Sequence, residues 1–328
     1  MSLRKHISLV LLTAALPLAA CGGGDEGQPV PEGEKYTYVV ATASVPTSAS
    51  QATKDFGIDL DGDGRKDNAL GSVLATLKGQ GLDVQPSLTD AVNDGSIVLL
   101  AEFQTKSFSA ASASGLRVFL GDSTMITPAA CTDPLMIATC GQHLKGTGSF
   151  KISASSPTTA LVSGPIVGGT FKGGPGTISL QISLTAGAAP LQLDLLGARA
   201  ELSTITDSSI GKGIVAGAIS KADLDDKILP AIKGQLDAQV AACTGTPKTP
   251  PLCGCMSGSG AAQILSLFDT TPADCAVSLD EIKNNSIIKT LLAPDVECNA
   301  TGCVANGTPN ALSIGLGVTA VKGTFTAP

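Results

Sequence analysis

Between Ile178 and Leu202 the sequence alternates. Ile178, Leu180, Ile182 and Leu184 are apolar at every second position, with Ser179, Gln181 and Ser183 between them. Leu191, Leu193 and Leu195 continue the pattern, which resumes one residue out of step at Ala198, Ala200 and Leu202. A period of two marks a strand with one buried face, and a bulge at Gly197 accounts for the change of phase. Leu312, Ile314, Leu316, Val318 and Ala320 alternate in the same way, Phe150, Ile152 and Ala154 do so briefly, and Ile97-Val98-Leu99-Leu100-Ala101 is a continuous apolar strand. The middle connections are too short for crossover helices, so an antiparallel meander is expected.

Helical spacing flanks these strands. Leu70, Val73, Leu74 and Leu77 share a helix face that ends at Gly79-Gln80-Gly81, and Ser87 to Asp94 reads as a second short helix. The two predict a hairpin, while Ser48 to Thr53 reads as a polar loop. Leu224, Ile228, Ile232, Leu236 and Val240 step by four, with Asp223 as cap and a kink at Pro230. Ser278 and Glu281 fit a capping box. The expected fold class is α+β: an antiparallel β-sheet core with an N-terminal helical hairpin and a C-terminal disulfide-linked helical region. Residues 35–328 are expected to form a single α+β domain, with 221–300 as a candidate Cys-rich helical subdomain.

The N-terminus carries an address. Arg4 and Lys5 precede the apolar run Ile7 to Leu16, and Leu18-Ala19-Ala20-Cys21 follows. Residues 1–20 read as a secretory signal, too short and interrupted to span a bilayer. Leu18 to Cys21 resembles the lipobox of exported bacterial lipoproteins. The resemblance implies that Cys21 is the first mature residue and carries the lipid, and Gly22 in place of aspartate implies the outer membrane, facing the periplasm or the outside. Residues 21–34 are rich in Gly, Pro and acids and read as a flexible tether.

Eight cysteines remain after Cys21: Cys131, Cys140, Cys243, Cys253, Cys255, Cys275, Cys298 and Cys303. An even number in an exported chain predicts disulfides. Cys131–Cys140 and Cys298–Cys303 are the short-range pairs, and the middle four allow three connectivities. A Cys₄ zinc site is disfavoured because Cys253-Gly254-Cys255 lacks the usual ligand gap.

Asp59, Asp61, Asp63 and Asp67 pack four carboxylates into nine residues around Gly62 and Gly64. Acids at every second position around a glycine turn suit the oxygen shell of Ca²⁺. The segment resembles the calcium loops of dockerin-type and thrombospondin type 3 modules. The resemblance implies ligation by Asp59, Asp61, Asp63, the Arg65 carbonyl and Asp67. Lys66 and Leu70 depart from the EF-hand pattern, so the closing ligand must come from elsewhere, with Asp55 and Glu102 as candidates.

Function classes narrow by exclusion. Without Arg4 and Lys5 the chain has 19 basic against 28 acidic residues, which disfavours nucleic acid. His143 is the single histidine after the signal, and no serine sits in a Gly-x-Ser-x-Gly elbow. Gly315-Leu316-Gly317 lies inside an alternating strand and cannot open a dinucleotide-binding helix. The expectation is a non-enzymatic, calcium-stabilised structural or binding module of the cell envelope, with a protein partner. The alternatives are a carrier of lipid or another apolar ligand and, more weakly, an envelope hydrolase.

Overall fold

The computed structural model describes residues 28–79, 83–182 and 190–328. The signal, the first half of the tether with Cys21, the Gln80-Gly81 helix stop and the Ser183-Leu184 end of the alternating segment lie outside the described residues. Among the described residues there are eleven strands: β1 (Glu34–Ser44), β2 (Leu99–Thr105), β3 (Ala111–Thr127), β4 (Gly148–Ile152), β5 (Val162–Val167), β6 (Thr170–Ile182), β7 (Leu191–Ile205), β8 (Ser209–Ser220), β9 (Glu297–Asn299), β10 (Gly302–Val304) and β11 (Ala311–Thr326). Nine of them belong to one sheet, in the order β1-β2-β3-β4-β11-β8-β7-β6-β5, with β1 also paired to β11 and β3 to β5.

Those two extra pairings close a ring. β1, β2, β3, β5, β6, β7, β8 and β11 each pair antiparallel with the next, and β11 returns to β1. The result is an up-and-down barrel with no free edge along the ring, which leaves no template for pairing with another chain. β4 stands outside it. It runs antiparallel to the end of β3 and parallel to the end of β11, and it covers Val39, Val98, Leu100 and Phe119 on the outer wall.

This architecture corrects the expected α+β fold. A large mixed sheet dominates and closes on itself, and the helices are peripheral to it. The expected N-terminal hairpin is replaced too. α2 (Ala69–Gly79) packs against α1 (Ala49–Phe56) and β11, whereas α3 (Gln85–Asn93) packs on β1. α1 occupies the segment read as a loop, and Ser48 caps it by accepting from the Gln51 N–H.

The barrel interior is filled by alternate residues. Its two ends differ. At one end Tyr38, Phe103 and Phe171 are fully buried, with the two phenyl rings edge to face at 5.0 Å and Tyr36 against Phe108 just beyond. The Tyr38 hydroxyl donates to the Thr206 carbonyl at 2.6 Å. At the other end the interior is aliphatic, and α2, α3 and the C-terminal helices lie across it.

Those C-terminal helices form a second small core. α4 (Lys221–Asp223) runs through a π-helical stretch, Leu224–Ile228, into α5 (Leu229–Ala241). The wide turn, in which the Leu229 N–H reaches the Leu224 carbonyl, lets the helix continue past Pro230 instead of breaking. The cap is Ser220, one turn ahead of the expected Asp223. α6 (Gly260–Phe268), α7 (Leu279–Asn284) and α8 (Ser286–Leu291) pack with α5 around Leu236, Leu265 and Ile282. Disulfides Cys243–Cys255 and Cys253–Cys275 staple this region and resolve the connectivity that sequence left open. Cys131–Cys140 and Cys298–Cys303 close the two short loops.

Candidate metal centre

The acidic loop joins α1 to α2 on the outer wall of the barrel. Its ends are tied by an antiparallel bridge between Ile58 and Asp67. Ile58 and Leu60 are buried against Ile214 and Ala216, which point outward from β8. Burial of these apolar side chains turns the intervening acids away from the wall. Gly62 and Gly64 have φ of 84° and 87° with open space where a Cβ would stand. Backbone conformation, not crowding, therefore requires glycine at both positions.

The side chains fold the loop around themselves. Asp59 accepts from the Gly62 N–H at 2.7 Å and the Gly64 N–H at 3.0 Å. Asp61 accepts from the Asp63 N–H at 3.0 Å, and Asp67 from the Leu60 N–H at 2.7 Å. The carboxylates of Asp59, Asp61 and Asp67 converge, with one oxygen of each within 4.8 Å of the others. Asp63 is turned aside: it accepts from the Arg65 N–H at 2.7 Å and lies 3.9 Å from the Arg65 side chain. Three of the four expected carboxylates are thus brought together.

Electrostatics mark the same spot. Burial first, and with it the negative charges of Asp61, Asp295 and Asp63, push the Asp67 carboxyl up to about 6 against the lowering effect of the Leu60 N–H. Asp295 is an exposed residue whose carboxyl is turned into the protein, and that burial together with Asp61 raises it as well. Hard oxygen donors that repel one another at this range fit a divalent cation better than any other small group. Protein oxygens beyond the three carboxylates, or water, would complete the shell. Glu102 is not among them. It sits on β2 and pairs with Lys35 at 3.0 Å and Arg117 at 3.3 Å, which corrects its nomination as closing ligand. Asp55 lies on the exposed face of α1.

Residues absent from the sequence reading fasten the loop to the barrel. Asn68 is buried, and its side chain donates to the Ala52 and Gly315 carbonyls while accepting from the Gly71 and Gly315 N–H groups. One amide group therefore joins α1, the start of α2 and β11. Ser313 accepts from the Ala69 N–H at 2.8 Å and donates to Asp295 at 2.5 Å. Arg199 on β7 donates to the Leu60 carbonyl at 3.3 Å. Asn68 had a signal, an N-cap residue type directly before an apolar helix. Asp295 and Arg199 are too distant in sequence to have had one. The Gly315 and Gly317 pair is explained here: a Cβ on Gly315 would meet the Phe56 carbonyl at 2.0 Å, and one on Gly317 the Phe56 ring at 2.6 Å.

Other candidates fall away. His143 is fully buried beneath the Cys131–Cys140 loop, its ring 6.0 Å from Phe150, and burial lowers its pKa. A sealed imidazole cannot reach a substrate. Cys253, Asp269 and Cys275 also cluster, but the two sulfurs are joined as a disulfide and are unavailable to a metal. No family model matches the chain, and no curated protein or solved structure matches it.

Proposed function

We propose that the protein is a non-enzymatic, calcium-stabilised binding module of the bacterial cell envelope, tethered through a lipid on Cys21 at the outer membrane. The convergence of Asp59, Asp61 and Asp67 at the junction of α1, α2 and the barrel wall carries this reading. A bound Ca²⁺ would neutralise three carboxylates that otherwise repel. This chain's part is to hold those oxygens in place: Leu60 anchors the loop, and Asn68 transmits its position to α2 and β11. The four disulfides support an oxidising, exported location. The sealed His143 supports a non-catalytic role.

A second reading, carriage of an apolar ligand, is favoured by one observation. A cavity of about 60 Å³ lies between the aliphatic end of the barrel and the helices across it, lined by aliphatic side chains and Gln235. Native mass spectrometry of a Cys21→Ser form exported to a bacterial periplasm separates the two. A mass with bound Ca²⁺ and no organic ligand is expected from the first reading. A co-purified amphiphile would put the carrier ahead, and a chain with neither adduct after dialysis into millimolar Ca²⁺ would contradict the calcium module.

A further inference from the structure

We propose that the sealed end of the barrel is a docking surface for a phospholipid bilayer with anionic headgroups, so that the helix-capped end faces away from the membrane. This rests on the lipid anchor at Cys21 and deepens that reading by naming the face that meets the lipid. Exposed apolar surface stands at the tip of this end. Val167, in the β5–β6 turn, is 72% exposed. The Gly169 N–H of the same turn donates to the Ser109 carbonyl at 2.9 Å, which ties the turn to the loop carrying Phe108. Phe108 is half-buried and packs on Tyr36, with ring centroids 4.7 Å apart. An aliphatic tip beside a half-exposed tyrosine and phenylalanine suits the boundary between headgroups and acyl chains.

Charge selects the same end. Lys35, Lys106, Lys172, Lys212 and Lys322 are exposed around it, against the exposed acids Glu32, Glu34 and Asp207. Lys35, Lys106 and Lys172 pair with Glu102, Glu32 and Glu201, which leaves Lys212 and Lys322 without a carboxylate partner among the described residues. The chain as a whole has the opposite balance, 19 basic against 28 acidic residues after the signal. A negative lipid surface therefore attracts the sealed end and repels the acidic remainder. The tether supplies the reach. Gln28 is fixed to the outer wall, where its side-chain oxygen accepts from the Ser163 N–H at 3.0 Å and the Ser163 hydroxyl at 2.9 Å. Ser163 lies four residues from Val167 along β5, about 13 Å of strand. Cys21 lies seven residues before Gln28, a reach of about 25 Å at full stretch. A lipid on Cys21 thus holds the bilayer within reach of Val167 and raises the local concentration of the docking surface. The other exposed apolar run, Leu135-Met136-Ile137, is in the Cys131–Cys140 loop beside the end of α3, a loop without lysine. It serves as an internal control.

The chain has no tryptophan, so one introduced by substitution reports its own surroundings. Val167→Trp, Leu135→Trp and Ile287→Trp, all at exposed positions, are exported behind the native signal in a bacterium and purified. Each is placed in vesicles of phosphatidylethanolamine and phosphatidylglycerol, with and without acyl-brominated lipid. The intact mass reads the anchor, and the emission reads the docking. Val167→Trp should shift to the blue, and bromine should quench it about threefold or more beyond the other two. Adding Lys212→Glu and Lys322→Glu, or replacing the anionic lipid by phosphatidylcholine, should remove most of that quenching. Equal or stronger quenching at Leu135→Trp or Ile287→Trp would overturn the assignment of the face. Quenching at none of the three, in a chain whose mass carries acyl groups, would overturn the docking and leave the anchor. Quenching indifferent to the lysines and to lipid charge would overturn the anionic partner. A chain without acyl groups would sink the anchor reading. The docking is then judged on the same chain added to the vesicles from solution, where an unshifted Val167→Trp would overturn it.

Discussion

The two ends of this barrel are closed by different means. At one end the strands close it themselves, with Tyr38, Phe103 and Phe171 meeting inside. At the other, separate helices lie across an aliphatic opening, and α2 is held there because Ser313 and Asn68 accept from its Ala69 and Gly71 N–H groups while Asn68 donates to the Gly315 carbonyl. Hydrophobic burial of these rings does not hang on single bonds and persists as long as the barrel does. A polar clamp beside three converging carboxylates is conditional, because its hold depends on a few bonds and on the charge state of the loop. The comparison teaches that closure and access can be divided between the ends of one barrel. The three fully buried aromatics stand where the closure is permanent.

The largest expected effect is at the sealed end. Phe171→Ala removes a fully buried ring and should cost about 3–5 kcal/mol in urea unfolding. Asn68→Ala comes next. It leaves buried carbonyls of Ala52 and Gly315 and the Gly315 N–H without partners, at a cost of about 2–4 kcal/mol. Its sharper signature is local: amide exchange in α2 should accelerate more than exchange in β2 or β6. Equal acceleration everywhere would mean that the clamp serves the whole barrel and not its open end. Leu74→Ala, at the partly exposed rim, should cost only about 1 kcal/mol. A loss as large as that of Phe171→Ala would erase the difference between the ends.

A spectroscopic prediction has the smallest energy and the clearest sign. Burial raises the Tyr38 hydroxyl well above the ordinary tyrosine pKa of 10.0. The folded state therefore disfavours the phenolate. This group's contribution to stability is complete below pH 10 and is lost as the pH rises above it. Tyr36, at the exposed rim, is also raised, by burial first and then by Glu34. With two tyrosines and no tryptophan in the chain, absorbance titration should show Tyr36 ionising in the folded protein and Tyr38 only with alkaline unfolding. Joint ionisation before unfolding would show that the sealed end is open to water.

Much of this was legible locally. Alternation at Ile178 to Leu202 marked β6 and β7, and the shift at Gly197, whose φ is 55°, marked the irregular register between them. The acidic loop was legible because its carboxylates lie within nine residues. Closure was not, because it depends on β1 meeting β11. Thr42 and Thr319 touch across 277 residues, and no local pattern encodes that pairing. The same alternation serves an open sheet and a closed one, so the helices were given more of the fold than they hold. α1 was missed because its apolar positions are few, although Ser48 was a usable cap signal. Asp295, Ser313 and Arg199 converge on the loop only through the barrel's curvature.

The most direct test of the calcium account is the melting temperature of the Cys21→Ser form in 5 mM Ca²⁺ and in chelator, beside an Asp59→Asn, Asp61→Asn variant. With a dissociation constant of about 0.5 mM, typical of extracellular modules, Ca²⁺ contributes about 1.4 kcal/mol, which is about 2–3 °C for a domain of this size. The wild-type chain should show that rise and the variant should not, the two melting together in chelator. Identical melting of the wild type with and without Ca²⁺ would contradict the account.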